Sequence, residues 1–266
     1  MTFSYEQRRT ALRWFLPALI VAISSTIGHG GNSSEGSLKA VGITPAQTNQ
    51  LTARDVVRQL FLATEDEPID LSGKKLENLD LAGVDFKRAN LKGASLFGTD
   101  LSGADLSGCN LEGANLDRAT LTKTNFSNAN LRTANIRRPS IFTSMSPVVD
   151  EAPTFERANL ESAWIEGILD YADFSGSNLV GARFGATNPR DNQGIIAGPR
   201  LRGANFANAD LSAAILERAD LSFASFLNAK LDGANLRSVV LIGTNLFGAS
   251  LQGADLSAAQ LDGKND

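Results

Sequence analysis

Large apolar residues return at every fifth position over most of this chain. Leu71, Leu76, Leu81, Phe86, Leu91, Leu96, Leu101, Leu106, Leu111, Leu116, Leu121, Phe126, Leu131, Ile136 and Ile141 form one unbroken series. If each is a centre, i, the position i−2 is usually Ala, as at Ala89, Ala94, Ala104, Ala114, Ala119, Ala129 and Ala134. Position i−1 is usually Asp or Asn, and i+2 is often Gly, as at Gly73, Gly83, Gly93, Gly98, Gly103, Gly108 and Gly113. A period of five matches neither the 3.6 of an amphipathic helix nor the 2 of a half-buried strand. A chain that buries one large and one small residue per pentad, and then turns, winds into a solenoid. Four pentads close a square coil, and successive coils stack at the β-ladder spacing of about 4.8 Å. Glycine at i+2 suits a backbone turning through positive φ, and Asp or Asn at i−1 suits hydrogen bonding to that turn.

The stretch from Thr99 to Leu121, TDLSGADLSGCNLEGANLDRATL, resembles the A-(D/N)-L-x-x motif of pentapeptide-repeat proteins. The resemblance implies an all-β solenoid, a right-handed quadrilateral β-helix spanning residues 69–263. That hand agrees with the general preference of parallel crossovers. Burying each centre is worth about 1.5–3 kcal/mol, and an axis closed by Leu, Phe and Ala leaves outer faces, loops and ends for function.

Two breaks interrupt the count, at residues 142–154 and 185–200. The first follows Arg137-Arg138-Pro139 and contains Pro147, Asp150, Glu151 and Pro153; the second contains Pro189, Arg190, Asp191 and Pro199. Between them the pattern resumes at Phe155, Leu160 and Ile165, then slips by one residue to Leu169, Phe174, Leu179 and Phe184. It is regular again from Leu201 to Leu261. Loops thrown from a regular scaffold are common binding elements, so Arg137, Arg138, Phe142, Asp150, Glu151, Arg190 and Asp191 are candidate partner-binding residues. Phe223, Leu227, Val240, Ile242 and Phe247 are expected to face outward near the far end, as candidates for self-association into a homodimer.

Ahead of the repeat, Arg8, Arg9 and Arg13 precede an apolar run from Trp14 to Ile23. Residues 1–27 therefore read as a signal peptide or a membrane anchor, with membrane contact through residues 8–27. The run is short of the ~20 residues a spanning helix needs. Residues 28–50, rich in Gly, Ser and Asn, read as a flexible linker. Residues 51–68 read as a short N-terminal capping helix, opened by Thr52 and Asp55 and carrying Val56, Leu60, Val57 and Phe61 on one side. An end coil exposes apolar side chains and unpaired backbone, which such a cap covers.

Chemistry is sparse. The chain of 266 residues has one histidine, His29, and one cysteine, Cys109. A catalytic triad or multi-histidine metal site is thereby excluded, and Cys109 occupies a small inward i−2 position. No enzyme, cofactor or metal is expected. The net charge of −4 and pI near 5.2 argue against nucleic-acid binding. Residues twenty apart should lie above one another, and the columns Ser72, Lys92, Glu112, Arg132 and Glu77, Phe97, Asp117, Arg137 alternate in sign. The sequence thus points to an exported scaffold, periplasmic or membrane-anchored, that binds a protein partner through loops or outer faces. The alternative is a DNA mimic that interacts with DNA gyrase, as some pentapeptide-repeat proteins do.

Overall fold

The computed structural model describes residues 51–64, 67–143, 148–185 and 198–261. The chain divides into a unit of residues 1–49 and a unit of residues 50–266, and all described residues belong to the second. The expected signal or anchor segment and the whole of the linker fall outside the described residues. Among the described residues, no helix is long and apolar enough to cross a membrane.

Helix α1 (Ala53–Leu62) opens with the expected capping box. The Thr52 hydroxyl accepts from the Asp55 amide, and the Asp55 carboxylate accepts from the Thr52 amide. Val56 and Leu60 are buried against the first coil, and Val57 packs partly on it. Phe61, expected on that side, is instead half exposed, because the apolar stripe that meets the coil is narrower than the sequence suggested. The Lys87 ammonium donates to the Ala63 carbonyl at 3.0 Å, tying the helix end to the coil beneath.

From Asp70 the chain winds into four-sided coils, a right-handed quadrilateral β-helix. Parallel bridges join residues twenty apart, such as Asp70 to Asn90, Lys75 to Ser95, Asp80 to Asp100 and Asp85 to Asp105. Each side is so short that its ladder mostly reduces to one bridge. The exception is a parallel sheet on the second side, in the order β1 (Asn135–Arg137), β2 (Trp164–Glu166), β3 (Arg183–Phe184). Pentads with a coil above them repeat the same main-chain bonds, exemplified by the Leu71 amide on the Asn90 carbonyl at 2.7 Å and the Gly73 amide on the Lys92 carbonyl at 2.8 Å. The i+1 amide is collected by the Asx side chain at i−1, as Asp70 does for Ser72 at 2.9 Å. Asparagines at i−1 also form a ladder along the first side, with Asn90, Asn110 and Asn130 each donating to the residue one coil below.

All centres from Leu71 to Leu241 are at most 4% exposed. Cys109 is buried as expected, and burial pushes its thiol up to about 12. Threonine at i−2 keeps its hydroxyl satisfied: Thr99 donates to the Leu76 carbonyl and Thr124 to the Leu101 carbonyl. On the fourth side Phe126, Phe155, Phe174, Phe206 and Phe226 stack ring on ring, with centroids 4.8–5.0 Å apart and planes within 7°. Isolated aromatic pairs prefer an offset or an edge; here the coil spacing imposes the parallel stack.

The two breaks leave the axis undisturbed. Coil partners are 29 residues apart across the first, as in Asn125 and Thr154, and 32 apart across the second, as in Asp173 and Asn205. Thr154 and Arg200 already pair in the ladder, so each excursion ends one residue earlier than the sequence pattern indicated. Pro139, Pro153 and Pro199 all occupy buried i−2 positions at these breaks. The slip of one residue is a four-residue side from Ile165 to Leu169. It turns through Gly167 at φ 124°, where a Cβ would lie 3.3 Å from the Arg138 Cα.

Candidate interaction site

Two grooves lie on the outside of the coils, both beside the breaks. The first, of about 230 Å³, is on the second side and is lined by Phe97, Asp117, Arg118, Arg137, Arg138 and Glu166. Asp117, at i+1, turns up the axis and accepts from the Arg137 amide at 3.1 Å. Its carboxylate also pairs with the Arg137 guanidinium, and the Asp117 side chain is 9% exposed. This bond holds Arg137 more firmly protonated than usual, against the opposing effect of burial. The same guanidinium lies over the Trp164 ring, 4.5 Å from its centroid. Trp164 is itself fixed, its indole N–H donating to the Gly185 carbonyl at 2.8 Å. Arg118 lies over Phe97 at 5.7 Å, and Arg138 pairs with Glu166 at 3.1 Å.

The second groove, of about 360 Å³, is on the third side and is lined by Asp170, Tyr171, Arg200, Arg202, Gly203 and Phe223. Asp170 repeats the Asp117 arrangement. It accepts from the Arg202 amide at 3.1 Å and from the Arg200 Nε at 2.8 Å. Burial nevertheless raises its pKa, outweighing both contacts. Tyr171 and Phe223 sit at i+2 with φ of 62° and 63°, an uncommon conformation for bulky residues. Each ring lies where the Cβ of the next coil's residue would be, and that residue is glycine: Gly203 above Tyr171, Gly243 above Phe223.

The candidates from sequence differ in where the structure places them. Arg137 and Arg138 come together with Arg118 in the first groove. Phe142 is half-buried against the core and offers little free surface. Glu151, expected to face a partner, instead closes the first loop on itself: its carboxylate accepts from the Thr143 amide and hydroxyl, which lowers its pKa. Asp150 is exposed on the short 3-10 turn Val149–Glu151, beside exposed Val148 and Val149, which the sequence reading missed. Arg190 and Asp191 lie outside the described residues. At the far end Phe223, Ile242 and Phe247 are exposed, by 61%, 42% and 77%, while Leu227 and Val240 are partly covered. Trp164 and Tyr171 were also missed, since both acquire their neighbours across a break of unknown length.

Among the described residues, no cluster of His, Cys, Asp or Glu fits a metal ion. A closed axis with side chains fixed on its outer walls defines a repeat scaffold. The family model for pentapeptide repeats matches eight copies, over residues 69–103, 99–138, 200–237 and 224–263, together half of the chain, and the chain belongs to that family. Its members are in general structural and interaction proteins. Among solved structures, the chain is similar to HetL, a pentapeptide repeat protein involved in heterocyst differentiation regulation from the cyanobacterium Nostoc sp. strain PCC 7120. The identity is 26% over 79% of this chain and 95% of that one, with a TM-score of 0.33. A trypsin-treated form of QnrB1, a plasmid-mediated fluoroquinolone resistance protein, is 19% identical over 73% of this chain and 90% of that one, with a TM-score of 0.38. A pentapeptide repeat protein from the Arabidopsis thaliana thylakoid lumen is 34% identical over 47% of this chain and 70% of that one, with a TM-score of 0.25. No curated protein sequence matches the chain.

Proposed function

We propose that this chain is an exported, non-enzymatic scaffold that holds a protein partner on its outer sides and first loop. The observation that supports this most is the contrast between axis and wall. The axis is filled by centres at most 4% exposed as far as Leu241, whereas the walls carry two grooves whose arginines and aromatic rings are fixed by neighbours. Export rests on Arg8, Arg9, Arg13 and the apolar run that follows them. A homodimer through the last coils rests on exposed Phe247 and Ile242.

The gyrase-directed DNA mimic is the weaker reading. A mimic needs an uninterrupted acidic stripe, since duplex DNA carries one charge per ~1.7 Å. Here several acids are instead paired with cations along the axis: Lys92 with Glu112, Arg132 with Glu161, Arg137 with Asp117, Lys230 with Asp210.

Cell fractionation with N-terminal sequencing, followed by cross-linking in the fraction that holds the protein, tests the proposal. A mature chain beginning near residue 25, outside the cytoplasm and cross-linked to another protein, is the expected result. A cytoplasmic chain that retains Met1 and cross-links to a topoisomerase would overturn it.

A further inference from the structure

The second side carries a concentration of positive charge that the composition of this acidic chain does not foretell. Between Phe97 and Gly185 this side carries Arg118, Arg137, Arg138 and Arg183 against two acids, Asp117 and Glu166. The acids lie beneath the cations. The Asp117 and Glu166 side chains are 9% and 16% exposed, against 38% for Arg137 and 57% for Arg138. Among the described residues Arg118 lies over the Phe97 ring and makes no ion pair with a carboxylate, which leaves its N–H donors available to a ligand. Arg137 is fixed from two directions, by Asp117 and by a tryptophan that is itself hydrogen-bonded. Guanidinium groups held in this way lose little side-chain freedom when they bind an anion.

Resting on the scaffold reading above, we infer that this face docks an acidic polypeptide segment of the partner, with its carboxylates on Arg118, Arg137 and Arg138. The groove of about 230 Å³ is smaller than the roughly 300–1,000 Å³ typical of small-molecule sites. It fits side chains projecting from a larger partner. From Phe97 to Gly185 the face spans four coil steps, about 19 Å at the β-ladder spacing, the reach of about six extended residues. The nearest acids beyond this stretch on the same side are Glu77 below and Glu217 above. Nucleic acid, whose charge continues past such a stretch, is disfavoured by those limits.

The test uses the full chain and fluorescein-labelled hexaglutamate, with hexaglutamine and hexathymidylate as comparison probes, read by fluorescence anisotropy. Arg118 and Arg138 have φ of 59° and 52°, so the double variant Arg118→Gly, Arg138→Gly removes two guanidiniums from positions glycine adopts freely. Its thermal midpoint confirms that it folds. Hexaglutamate is expected to bind at least about tenfold tighter than hexaglutamine, to weaken as salt rises, and to lose about tenfold in the double variant. Equal binding of the two peptides, or no change in the double variant, overturns the inference. Tighter binding of hexathymidylate than hexaglutamate overturns the polypeptide assignment. If hexaglutamate fails while the exported chain still cross-links to a partner, this face is excluded and the scaffold reading stands.

Discussion

Coils built from residues 201–241 keep the count of five throughout, whereas those between Ile141 and Leu201 absorb two insertions and one deletion. The interior does not register the difference. Phe155 and Phe174 in the interrupted stretch are as buried as Phe206 and Phe226 in the regular one, and all four belong to one stack of rings. The exterior differs sharply. Paired Asp–Arg contacts with the carboxylate buried, the fixed tryptophan, Tyr171 and both grooves lie in or beside the interrupted coils. An excursion that leaves at one corner and returns to the same corner costs the axis nothing, because loop closure depends only weakly on length. Departures from the repeat are therefore free to acquire binding surfaces.

Breaking the shared interior should give the largest effect. Phe174→Ala removes a ring that contacts Phe155, Phe184 and Phe206. It should cost about 3–5 kcal/mol in chemical denaturation, with Phe206→Ala costing the same within error. A much smaller cost at Phe174 would mean that the interrupted coils are loosely packed and the comparison fails. A glycine pair sharpens the contrast at intermediate size. Gly167→Ala places a Cβ 3.3 Å from the Arg138 backbone at φ 124°, and should cost about 1–3 kcal/mol. Gly233→Ala, at φ 67° with open space around the new Cβ, should cost about 1 kcal/mol, close to the price of the left-handed conformation alone. Denaturation midpoints of the two variants rank them directly.

A smaller effect is expected from replacing residues 142–153 with three residues, which removes nine and restores the count of five from Ile141 to Phe155. Stability should change by less than about 1 kcal/mol, while partner cross-linking is lost. A trimmed chain that still binds its partner would place recognition elsewhere on the walls.

The smallest effect concerns pH. Hydrogen bonds from Ser72, Ser257 and Thr143 hold Asp70, Asp255 and Glu151 below the usual carboxylate range. Such groups stabilise the fold above their unfolded pKa, and that contribution disappears as pH falls through the lower folded value. Asp170 acts in the opposite sense. Its raised pKa contributes stability that is present in acid and lost as pH rises through the folded value. Thermal midpoints should thus hold steady from about pH 7 to about pH 5 and fall below about pH 4, and Asp170→Asn should deepen that fall.

How much of this was legible in the sequence depends on whether a contact stays within an unbroken run of pentads. The capping box is local to four residues, and the leucine centres, the glycines at i+2 and columns such as Lys92 under Glu112 lie within such a run, so counting by five or twenty finds them. The phenylalanine stack steps by 29, 19, 32 and 20 residues, and no fixed spacing reveals it. Arg137 meets Trp164, and Asp170 meets Arg200, only once the lengths absorbed by each break are known. The same limit explains Glu151. Its acidic side chain looked available for a partner, but the short turn folds it back onto Thr143.

Cys109 offers the most direct test of a closed axis, because the only thiol in the chain lies at a wholly buried i−2 position facing the centre of the coils. The native protein should react with a thiol reagent at least about 1,000 times more slowly than the unfolded chain, at a rate that follows global unfolding. Labelling of the native protein at the speed of a free cysteine would contradict the account.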